Sequence, residues 1–295
     1  MKGSLMLDRR SFLSLAAAGL SVTALVGCGG SPAASDDAPA SDTTTEAEAE
    51  AGTGAVDTGK LIVGFDSSYP PYGYVGDDGE YTGFDLELAQ EVAARNDWEV
   101  QLEPIDWDAK DTMLDSGAIN CIWNGFTMEG REDDYTFSEP YMINGQVIVV
   151  RADSGIASFA DLAGKNVITQ VDSAAYNVLA GEDATQAELA ATFAGLETIG
   201  EYNTAFMQLE SGAVDAVACD LSIAAYQLAA KPDAYVQLDE FLSEEHYAVG
   251  FKKGDDATAD AVNEALRAMD EEGFVQELCD KYAEDGISYD NWCLA

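Results

Sequence analysis

The sequence predicts an α/β fold of two similar lobes, each an open, mostly parallel sheet flanked by helices, with two strands joining the lobes as a hinge. Short β-branched runs alternate with helical patterns, which favours parallel strands connected through helices. The pattern also repeats: "LDSGAINCIWNG" at 114–125 is matched by "LESGAVDAVACD" at 209–220, and "LIVGFDSSY" at 61–69 by "NVITQVDSAAY" at 166–176. A repeat this long indicates two related lobes rather than a solenoid.

The composition bounds the class of protein. The chain has 295 residues, 47% of them hydrophobic, which suits two modest domains with real cores. Its 55 acidic and 14 basic residues give a formal net charge of −41. That charge excludes binding to nucleic acid through phosphate neutralisation and argues against docking on anionic lipid. The excess of acidic residues is most simply explained by a soluble protein surface whose like charges repel other copies.

Residues 1–27 are predicted to be a signal peptide. "LDRRSFLSLAAAGLSVTALVGC" starts with Arg9 and Arg10 and continues as an apolar stretch of marginal length for a membrane span. The arginine pair resembles a Tat address, and "LVGC" resembles a lipobox, which would make Cys28 the lipidated first residue of the mature protein. An uncleaved anchor helix is the alternative. Both interpretations place the remaining chain on the extracytoplasmic face of the cell membrane.

Residues 28–59 are predicted to be a disordered acidic linker behind that anchor. After Cys28 the segment has no aromatic residue and almost no aliphatic side chain larger than alanine. It therefore cannot bury enough apolar surface to offset the entropy of ordering. A flexible chain of this length spans about 30 Å root-mean-square, enough to let a tethered body move over a membrane partner.

The body begins at Lys60 with the strand "KLIVGFD", followed by a loop rich in proline and glycine. The helix "FDLELAQEVAARN", the strand "WEVQLEPI", the helix "DAKDTMLDSGA" and the strand "INCIW" follow. Strands at Gln146–Arg151 and Tyr247–Phe251 are predicted to cross between the lobes. Lobe I then comprises residues 60–150 plus 249–295, and lobe II residues 151–248.

Polar residues follow several predicted strands directly. In open parallel sheets, ligands bind beyond the carboxyl ends of the strands. Four strand ends are therefore predicted to face one site between the lobes: Asp66, Trp123–Thr127, Asp172–Ala175 and Asp220.

Four cysteines remain after Cys28. Cys279 and Cys293 could be bonded in an oxidising compartment and so attach the C-terminal tail to the last helix. Cys121 and Cys219 are interpreted as buried, unpaired strand residues. No Cys or His spacing indicates zinc.

A family resemblance rests on five motifs in order: "GFDSSYPPY" with "TGFDLELAQEVA", "AINCIWNGFTMEGRED", "GKNVITQVDSAA", "GAVDAVACD" and "YAVGFKKGD". Over 60–285 the chain resembles the family-3 extracellular solute-binding proteins of polar amino-acid ABC importers, which have a periplasmic-binding-protein-like, type II fold. The resemblance implies a monomer that captures a small amino acid and delivers it to the transmembrane permease subunits. It implies no catalytic residue, cofactor or metal, and membrane contact only through the anchor.

Residue roles follow from the resemblance and from the chemistry of a zwitterion. Arg131 can grip the ligand carboxylate through two parallel hydrogen bonds, a geometry that lysine lacks. The N–H groups of Ser173–Ala175, at a helix start, would add partial positive charge. Asp220 would bind the ammonium group, helped by the Gly125 carbonyl and the Thr127 hydroxyl.

The remaining predicted ligand-binding residues complete the pocket. Its walls are predicted to be Tyr69 and Trp107, with Trp123 or Phe65. Asn124 and Ala174 belong to the same two loops. Asp66 could pair with a cationic ligand side chain. Two departures from the family stand out: "TMEGR" is one residue shorter than the common Thr-x-Thr-x-x-Arg, and Ala174 replaces a hydroxyl residue.

Other interpretations remain open at this stage. Arg131, among four acidic neighbours, could form a surface ion pair. Asp220 could cap the helix that follows it, and Asp66 could cap a loop. Tyr69 and Trp107 could be ordinary core or rim aromatics. The enzyme alternative is a cyclohexadienyl (prephenate or arogenate) dehydratase on the same fold, whose mark would be a cleft carboxylic acid that binds no ammonium group.

Overall fold

The computed structural model describes residues 59–294. The predicted signal peptide, the lipidation residue Cys28 and the predicted linker up to residue 58 lie outside this range. Within it, no helix is both long enough and apolar enough to cross a membrane.

The strands are numbered in chain order. They are β1 Lys60–Phe65, β2 Ser68–Tyr69, β3 Gly73–Val75, β4 Tyr81–Thr82, β5 Glu99–Pro104, β6 Cys121–Ile122, β7 Tyr135–Phe137, β8 Met142–Arg151, β9 Asn166–Gln170, β10 Gly195–Ile199, β11 Ala216–Asp220, β12 Tyr235–Tyr247 and β13 Gly250–Lys252.

The α-helices are numbered in the same way. They are α1 Phe84–Arg95, α2 Lys110–Ser116, α3 Ala174–Ala180, α4 Ala187–Ala190, α5 Tyr202–Ser211, α6 Leu221–Ala230, α7 Asp256–Glu271 and α8 Phe274–Lys281. Short 3₁₀ turns occur at Trp107–Ala109, Phe159–Leu162, Ala283–Asp285 and Tyr289–Asn291.

Two five-stranded sheets form the body, in the orders β5-β1-β6-β13-β7 and β10-β9-β11-β8-β12. In each sheet three strands run parallel, and antiparallel strands extend one side. We call the parts built on these sheets lobe I and lobe II. The predicted two-lobed α/β class is confirmed, while the exact residue bounds drawn for the lobes remain predictions.

Glycine ends the equivalent helix in each lobe. Gly117 is the C-cap of α2 and Gly212 is the C-cap of α5, both with φ 77°, and each glycine N–H bonds back to the last turn. Glycine adopts this left-handed conformation without the steric cost that a Cβ brings. The matching "SGA" sequences thus encode the same helix stop in both halves.

Two chain segments cross between the sheets side by side. β7 leads into β8, and β12 leads into β13, with antiparallel pairing on both sides of the crossing. At the crossing itself, Ser138 N–H donates to Val249 O at 2.9 Å, and Tyr141 N–H donates to Tyr247 O at 2.9 Å. The predicted strand Tyr247–Phe251 is therefore divided at Ala248 and Val249, where it passes from one sheet to the other.

The strand predicted for "INCIW" is shorter than expected, because only Cys121 and Ile122 pair with β1. Just before it, Asn120 N–H donates to Ile62 O at 3.0 Å, and the Asn120 side chain adds two more bonds to the β1 backbone. Asn120 Oδ1 accepts from Ile62 N–H at 2.7 Å, and its Nδ2 donates to Lys60 O at 2.8 Å.

The hinge strand β8 is buried on both faces. Val147 and Val149 belong to one apolar cluster, while Ile148 and Val150 belong to another. Successive side chains of a strand point to opposite faces, so a continuous "VIVV" run indicates a strand covered on both sides.

Candidate functional site

The predicted strand ends converge where the two lobes meet. Asp66 follows β1, and its Oδ2 accepts a hydrogen bond from Gln170 Nε2, at the end of β9 in lobe II, at 2.7 Å. Its Oδ1 accepts from Ser68 N–H at 2.8 Å, so the loop-capping geometry is also present. Asn124, after β6, accepts from Asp66 N–H at 3.0 Å. Burial raises the pKa of Asp66, and the bonds from Ser68 and Gln170 oppose that rise.

Arg131 is buried, with 8% of its surface exposed. Its Nη1 donates to Thr127 O at 2.9 Å and its Nη2 to Asp172 O at 3.4 Å. The guanidinium carbon lies 4.8 Å from the centroid of the Phe126 ring. Within residues 59–294 no carboxylate pairs with it, so the surface ion pair considered from the sequence is not formed.

Asp172 of lobe II is the meeting point for three lobe I side chains. Its carbonyl oxygen accepts from Trp107 Nε1 at 3.2 Å as well as from Arg131. Its carboxylate forms an ion pair with the buried Lys110, whose ammonium also lies 5.5 Å from the centroid of the Trp107 ring. The two lobes are therefore in direct contact at the predicted site.

Asp220, at the end of β11, is 4% exposed. It occupies the N-cap position of α6 but makes no side-chain cap hydrogen bond. Instead its Oδ1 accepts from Gln146 Nε2 at 2.7 Å, Tyr247 hydroxyl at 3.0 Å and Asn144 Nδ2 at 3.1 Å. Burial raises the pKa of Asp220, and hydrogen bonds from Tyr69, Gln146 and Tyr247 oppose that rise.

Tyrosine hydroxyls surround this carboxylate. Tyr69 and Tyr247 lie 3.2 Å apart between hydroxyl oxygens, and Ser222 Oγ is 3.0 Å from Tyr247 hydroxyl. The Tyr202 ring is 6.1 Å from that of Tyr69, and its buried hydroxyl has no hydrogen-bond partner within residues 59–294. These side chains come from both lobes and from the hinge, so they line one polar patch at the base of the cleft.

Gly125 holds the loop after β6 close to these rings. Its N–H donates to Asp85 Oδ2 at 2.5 Å, and Tyr141 hydroxyl donates to both Asp85 oxygens at 2.8 Å. Its φ is 56°, and an added Cβ would lie 3.0 Å from ring carbons of Tyr69 and Tyr247. Only glycine fits here without strain. Burial raises the pKa of Asp85 to about 7.

Ser173 is the N-cap of α3, the helix that was predicted to face the ligand carboxylate. Its Oγ accepts from Tyr176 N–H at 3.1 Å and lies 3.2 Å from Thr169 Oγ1, so it caps α3. Its own N–H bonds to Gln170 O at 3.4 Å. Ala174 is the first residue of α3, directly after Asp172 and Ser173.

The two alternative wall residues of the prediction, Trp123 and Phe65, lie in the apolar core, and their role as walls remains a prediction. Trp123 is fully buried beside Tyr141, with ring centroids 6.4 Å apart. Phe65 is also fully buried, with its ring 5.1 Å from that of Tyr81. Alternation along the strand places Trp123 on the same core-facing side as Cys121, whereas Asn124 points toward Asp66.

All four cysteines in the described range are free. Cys121, Cys219 and Cys279 are buried, and Cys293 Sγ points to Pro140 O at 3.5 Å. The Cys279–Cys293 bond that the sequence left open is not formed in this structure. Residues 59–294 contain no cluster of three or more His, Cys, Asp or Glu suited to a metal ion.

Several residues of the site were missed by the sequence interpretation. Asn144 and Gln146 on β8 and Glu245 on β12 surround Asp220, and Gln170 reaches Asp66. A signal for two of them was present: Asn144 and Gln146 are alternate polar residues in an otherwise apolar strand. Such a pattern indicates buried side chains that need specific partners.

A cavity of about 660 Å³ opens beside Asp66 and Trp107, between the two lobes. Lobe I contributes the segment 104–109 and Met113, while lobe II contributes Val171, residues 199–201 and Thr204. Four of the lining side chains are acidic and none is basic: Asp66, Asp106, Asp108 and Glu201. The volume lies within the range of small-molecule sites.

Comparison with known proteins identifies the class. Residues 61–285 match the family described as bacterial extracellular solute-binding proteins, family 3. The chain belongs to this family.

Individual relatives agree with that assignment. The L-cystine-binding protein TcyJ of Escherichia coli (strain K12) is 32% identical over 76% of this chain and 82% of its own length. The crystal structure of an ABC uptake transporter substrate-binding protein from Streptococcus pneumoniae with bound histidine is 31% identical, with TM-score 0.73, covering 78% of this chain and 94% of its own. An ancestral amino-acid-binding protein, described as a precursor of cyclohexadienyl dehydratase, is 30% identical with TM-score 0.68, covering 76% and 95%. All three are named as binding proteins.

Proposed function

We propose that this protein is a lipid-anchored binding protein that captures a polar α-amino acid between its lobes and delivers it to an ABC import permease. One observation carries the proposal. The cleft holds a buried cation, Arg131, and a buried acid, Asp220, and neither has an ion-pair partner among the described residues. Buried charges normally require a partner. An amino acid zwitterion supplies both counter-charges in one molecule.

The roles of the residues follow from this geometry. Arg131 pairs with the ligand carboxylate, in exchange for its long contact with Asp172 O. The first N–H groups of α3, at Ala174 and Ala175, add donors for the same carboxylate. Asp220 binds the ammonium group, while Tyr69 and Trp107 cover the ligand from lobe I.

Lobe closure completes the site. Trp107 and Lys110 of lobe I bind Asp172 of lobe II across the cleft. When the lobes close and form these contacts, water is excluded from the ligand charges. Exclusion of water strengthens each of these interactions. A hinge motion of this kind couples ligand capture to a shape that a permease can recognise.

The ligand side chain lies toward the acidic cavity. Asp66, Asp106, Asp108 and Glu201 give this cavity a negative potential. A positively charged or otherwise strongly polar side chain is therefore favoured over an apolar or acidic one. The relatives named for cystine and histidine are compatible with a polar amino acid.

The anchor belongs to the same proposal. Cys28 carries the lipid after signal cleavage, residues 29–59 act as the tether, and the body works as a monomer on the extracytoplasmic face. Mass spectrometry of membrane-extracted protein tests this part, because a diacylated N-terminal Cys28 peptide is expected. An unmodified Cys28 would rule the anchor out.

A thermal-shift screen tests the binding function. Purified protein is screened against the twenty amino acids, cystine, ornithine, citrulline, prephenate and arogenate. A ligand at 100 times its Kd stabilises by about 2.7 kcal/mol, enough to raise Tm by several degrees. Shifts with one or two polar amino acids are expected. No shift with any amino acid, together with turnover of prephenate or arogenate, would instead support the dehydratase.

A further inference from the structure

Two carboxylates, not one, are buried at the base of the cleft. Glu245 on β12 is 3% exposed, and Asp220 on β11 is 4% exposed. Asn144 Nδ2 donates to Asp220 Oδ1 at 3.1 Å and to Glu245 Oε1 at 2.6 Å. Gln146 Nε2 likewise donates to Asp220 Oδ1 and to Glu245 Oε1, both at 2.7 Å. The two amides thus hold the two acids side by side.

The pair also connects both lobes to the hinge. Asp220 lies in lobe II, and Thr127 of lobe I donates its hydroxyl to Glu245 Oε1 at 2.9 Å. Glu245 pairs with Asn144 in the β8–β12 register, and Gln146 pairs with Asp220 in the β8–β11 register. The hydroxyl of Thr127 is therefore already engaged by Glu245.

An acceptor without a partner lies at the same place. Gln146 is fully buried, and its Oε1 has no hydrogen-bond partner among the described residues. This oxygen belongs to the same amide group as Gln146 Nε2, which donates to both Asp220 and Glu245. Two carboxylates and one unpaired amide oxygen are therefore carried here by side chains in direct contact. A primary ammonium group carries three N–H donors and a positive charge.

The titratable groups that surround the pair are Tyr69 on β2, Tyr72 before β3, Tyr202 on α5, Cys219 on β11 and Tyr247 on β12. The cation beyond Thr127, Arg131, donates to the backbone oxygens of Thr127 and Asp172 and to neither carboxylate. Burial raises the pKa of the tyrosines and of the thiol, so these groups are neutral at pH 7. His246, the next residue on β12, turns outward and pairs with Glu129.

We propose that Glu245 is a second anionic residue of the ammonium subsite: together with Asp220 and the Gln146 carbonyl oxygen it binds the ligand ammonium group, in exchange for a proton that the two carboxylates share without ligand. The inference rests on the proposed function and deepens it. The ligand ammonium keeps its three protons, and the displaced proton passes to the solvent.

The electrostatics of the pair give the direction of the pH dependence. Burial, followed by the charge of Asp220, raises the pKa of Glu245 to about 8, and burial raises the pKa of Asp220. Below pH 8 the free protein therefore holds a proton that the bound ammonium group displaces. Affinity then rises with pH toward 8, by up to about tenfold per pH unit for one proton released.

Calorimetry measures that proton directly. Binding of L-arginine and of L-glutamine, then of any other amino acid found in the screen, is titrated at pH 6.5 in buffers of different ionisation enthalpy. Wild type is expected to release close to one proton per ligand. Glu245→Gln is expected to release almost none and to lose most of the pH dependence of affinity. Glu244→Gln, the exposed neighbour on the same strand, serves as the matched control and is expected to behave as wild type.

The outcomes separate this inference from the proposed function. If wild type binds no α-amino acid, both are overturned. If wild type binds but releases no proton, or if Glu245→Gln releases as many protons as Glu244→Gln, only the role of Glu245 is overturned. Because the wild-type measurement decides without any variant, a Glu245→Gln protein that fails to fold does not remove the test.

Discussion

Trp107 Nε1 donates a hydrogen bond to Asp172 O at 3.2 Å, and this bond joins lobe I to lobe II. Asp172 has an unusual positive φ of 55°. The same carbonyl oxygen accepts from Arg131, so one backbone group of lobe II is held by two lobe I side chains. Closure and the proposed grip on the ligand carboxylate therefore depend on the same few atoms.

Trp107→Phe is expected to weaken amino acid binding while keeping the fold. The phenyl ring retains much of the apolar contact with Phe126, but the donor to Asp172 is lost. A neutral hydrogen bond contributes about 0.5–1.5 kcal/mol, which predicts a loss of about twofold to tenfold in affinity. Calorimetry with the ligand from the screen measures it. Trp98→Phe, at a half-buried position just before β5 and away from the cleft residues, should leave affinity unchanged. An equal loss in both variants would contradict the closure role.

Arg131→Ala is expected to weaken ligand binding far more than Trp107→Phe does. It leaves the ligand carboxylate without its charged partner in a dry cleft, which costs about 2–5 kcal/mol, or about 30-fold to several thousand-fold in Kd. Arg131→Lys should recover only part of this loss, because lysine cannot form two parallel hydrogen bonds. Arg95→Ala, which removes a surface arginine paired with Glu91 and Glu272, is the control. A loss below threefold for Arg131→Ala would assign the carboxylate to another residue.

Gly125→Ala is expected to destabilise the protein more than Gly130→Ala. Both glycines have positive φ, so both substitutions carry a backbone cost of about 1–2 kcal/mol. At Gly130 an added Cβ meets nothing within 4 Å, whereas at Gly125 it lies 3.0 Å from the Tyr69 and Tyr247 rings. Urea unfolding of both variants isolates the ring contacts as the difference. Equal free energies of unfolding would show that the tyrosines move aside without cost.

The stability of the ligand-free protein is expected to fall as pH rises from 4 to 8. Burial raises the pKa of Asp85 from its usual 3.8 to about 7, so the folded state holds this proton more tightly than the unfolded state. Its contribution is complete below pH 4 and is lost as pH rises through 7. Burial also raises the pKa of Glu245 to about 8, so this group likewise lowers the stability of the fold as pH rises. Urea unfolding at pH 5, 6, 7 and 8 should show a smaller slope for Asp85→Asn than for wild type. The exposed Asp77→Asn should keep the wild-type slope, and an Asp85→Asn slope equal to wild type would contradict an uncharged Asp85 in the fold.

Much of the fold could be predicted because its signals are local. The spacing of apolar residues over 84–93 predicts α1, and each Ser-Gly pair marks a helix stop. The site was only partly predictable. Arg131 looks solvated beside Glu129, Glu132 and two aspartates, yet the Phe126 ring and the Thr127 carbonyl cover it.

Glu245 was missed for a related reason. In "SEEHY" two adjacent glutamates look equally solvated, and only strand alternation turns one of them inward. The thirteen-residue strand β12 was not predicted over its full length, because its acidic, exposed residues conceal that alternation. Which glutamate faces the cleft depends on register with β8, and that pairing is set by contacts far apart in sequence.

The two crossing segments have a mechanical consequence. Because β7–β8 and β12–β13 stay hydrogen-bonded to each other on both sides of the crossing, they form one two-stranded ribbon rather than two independent links. A paired ribbon twists and bends as a unit, while sliding of one strand past the other would break its ladder. The relative motion that this ribbon favours is therefore a rotation of one lobe against the other by twisting and bending of the ribbon. Each opening then returns the same surfaces to the same alignment, as repeated capture and release of the proposed ligand requires.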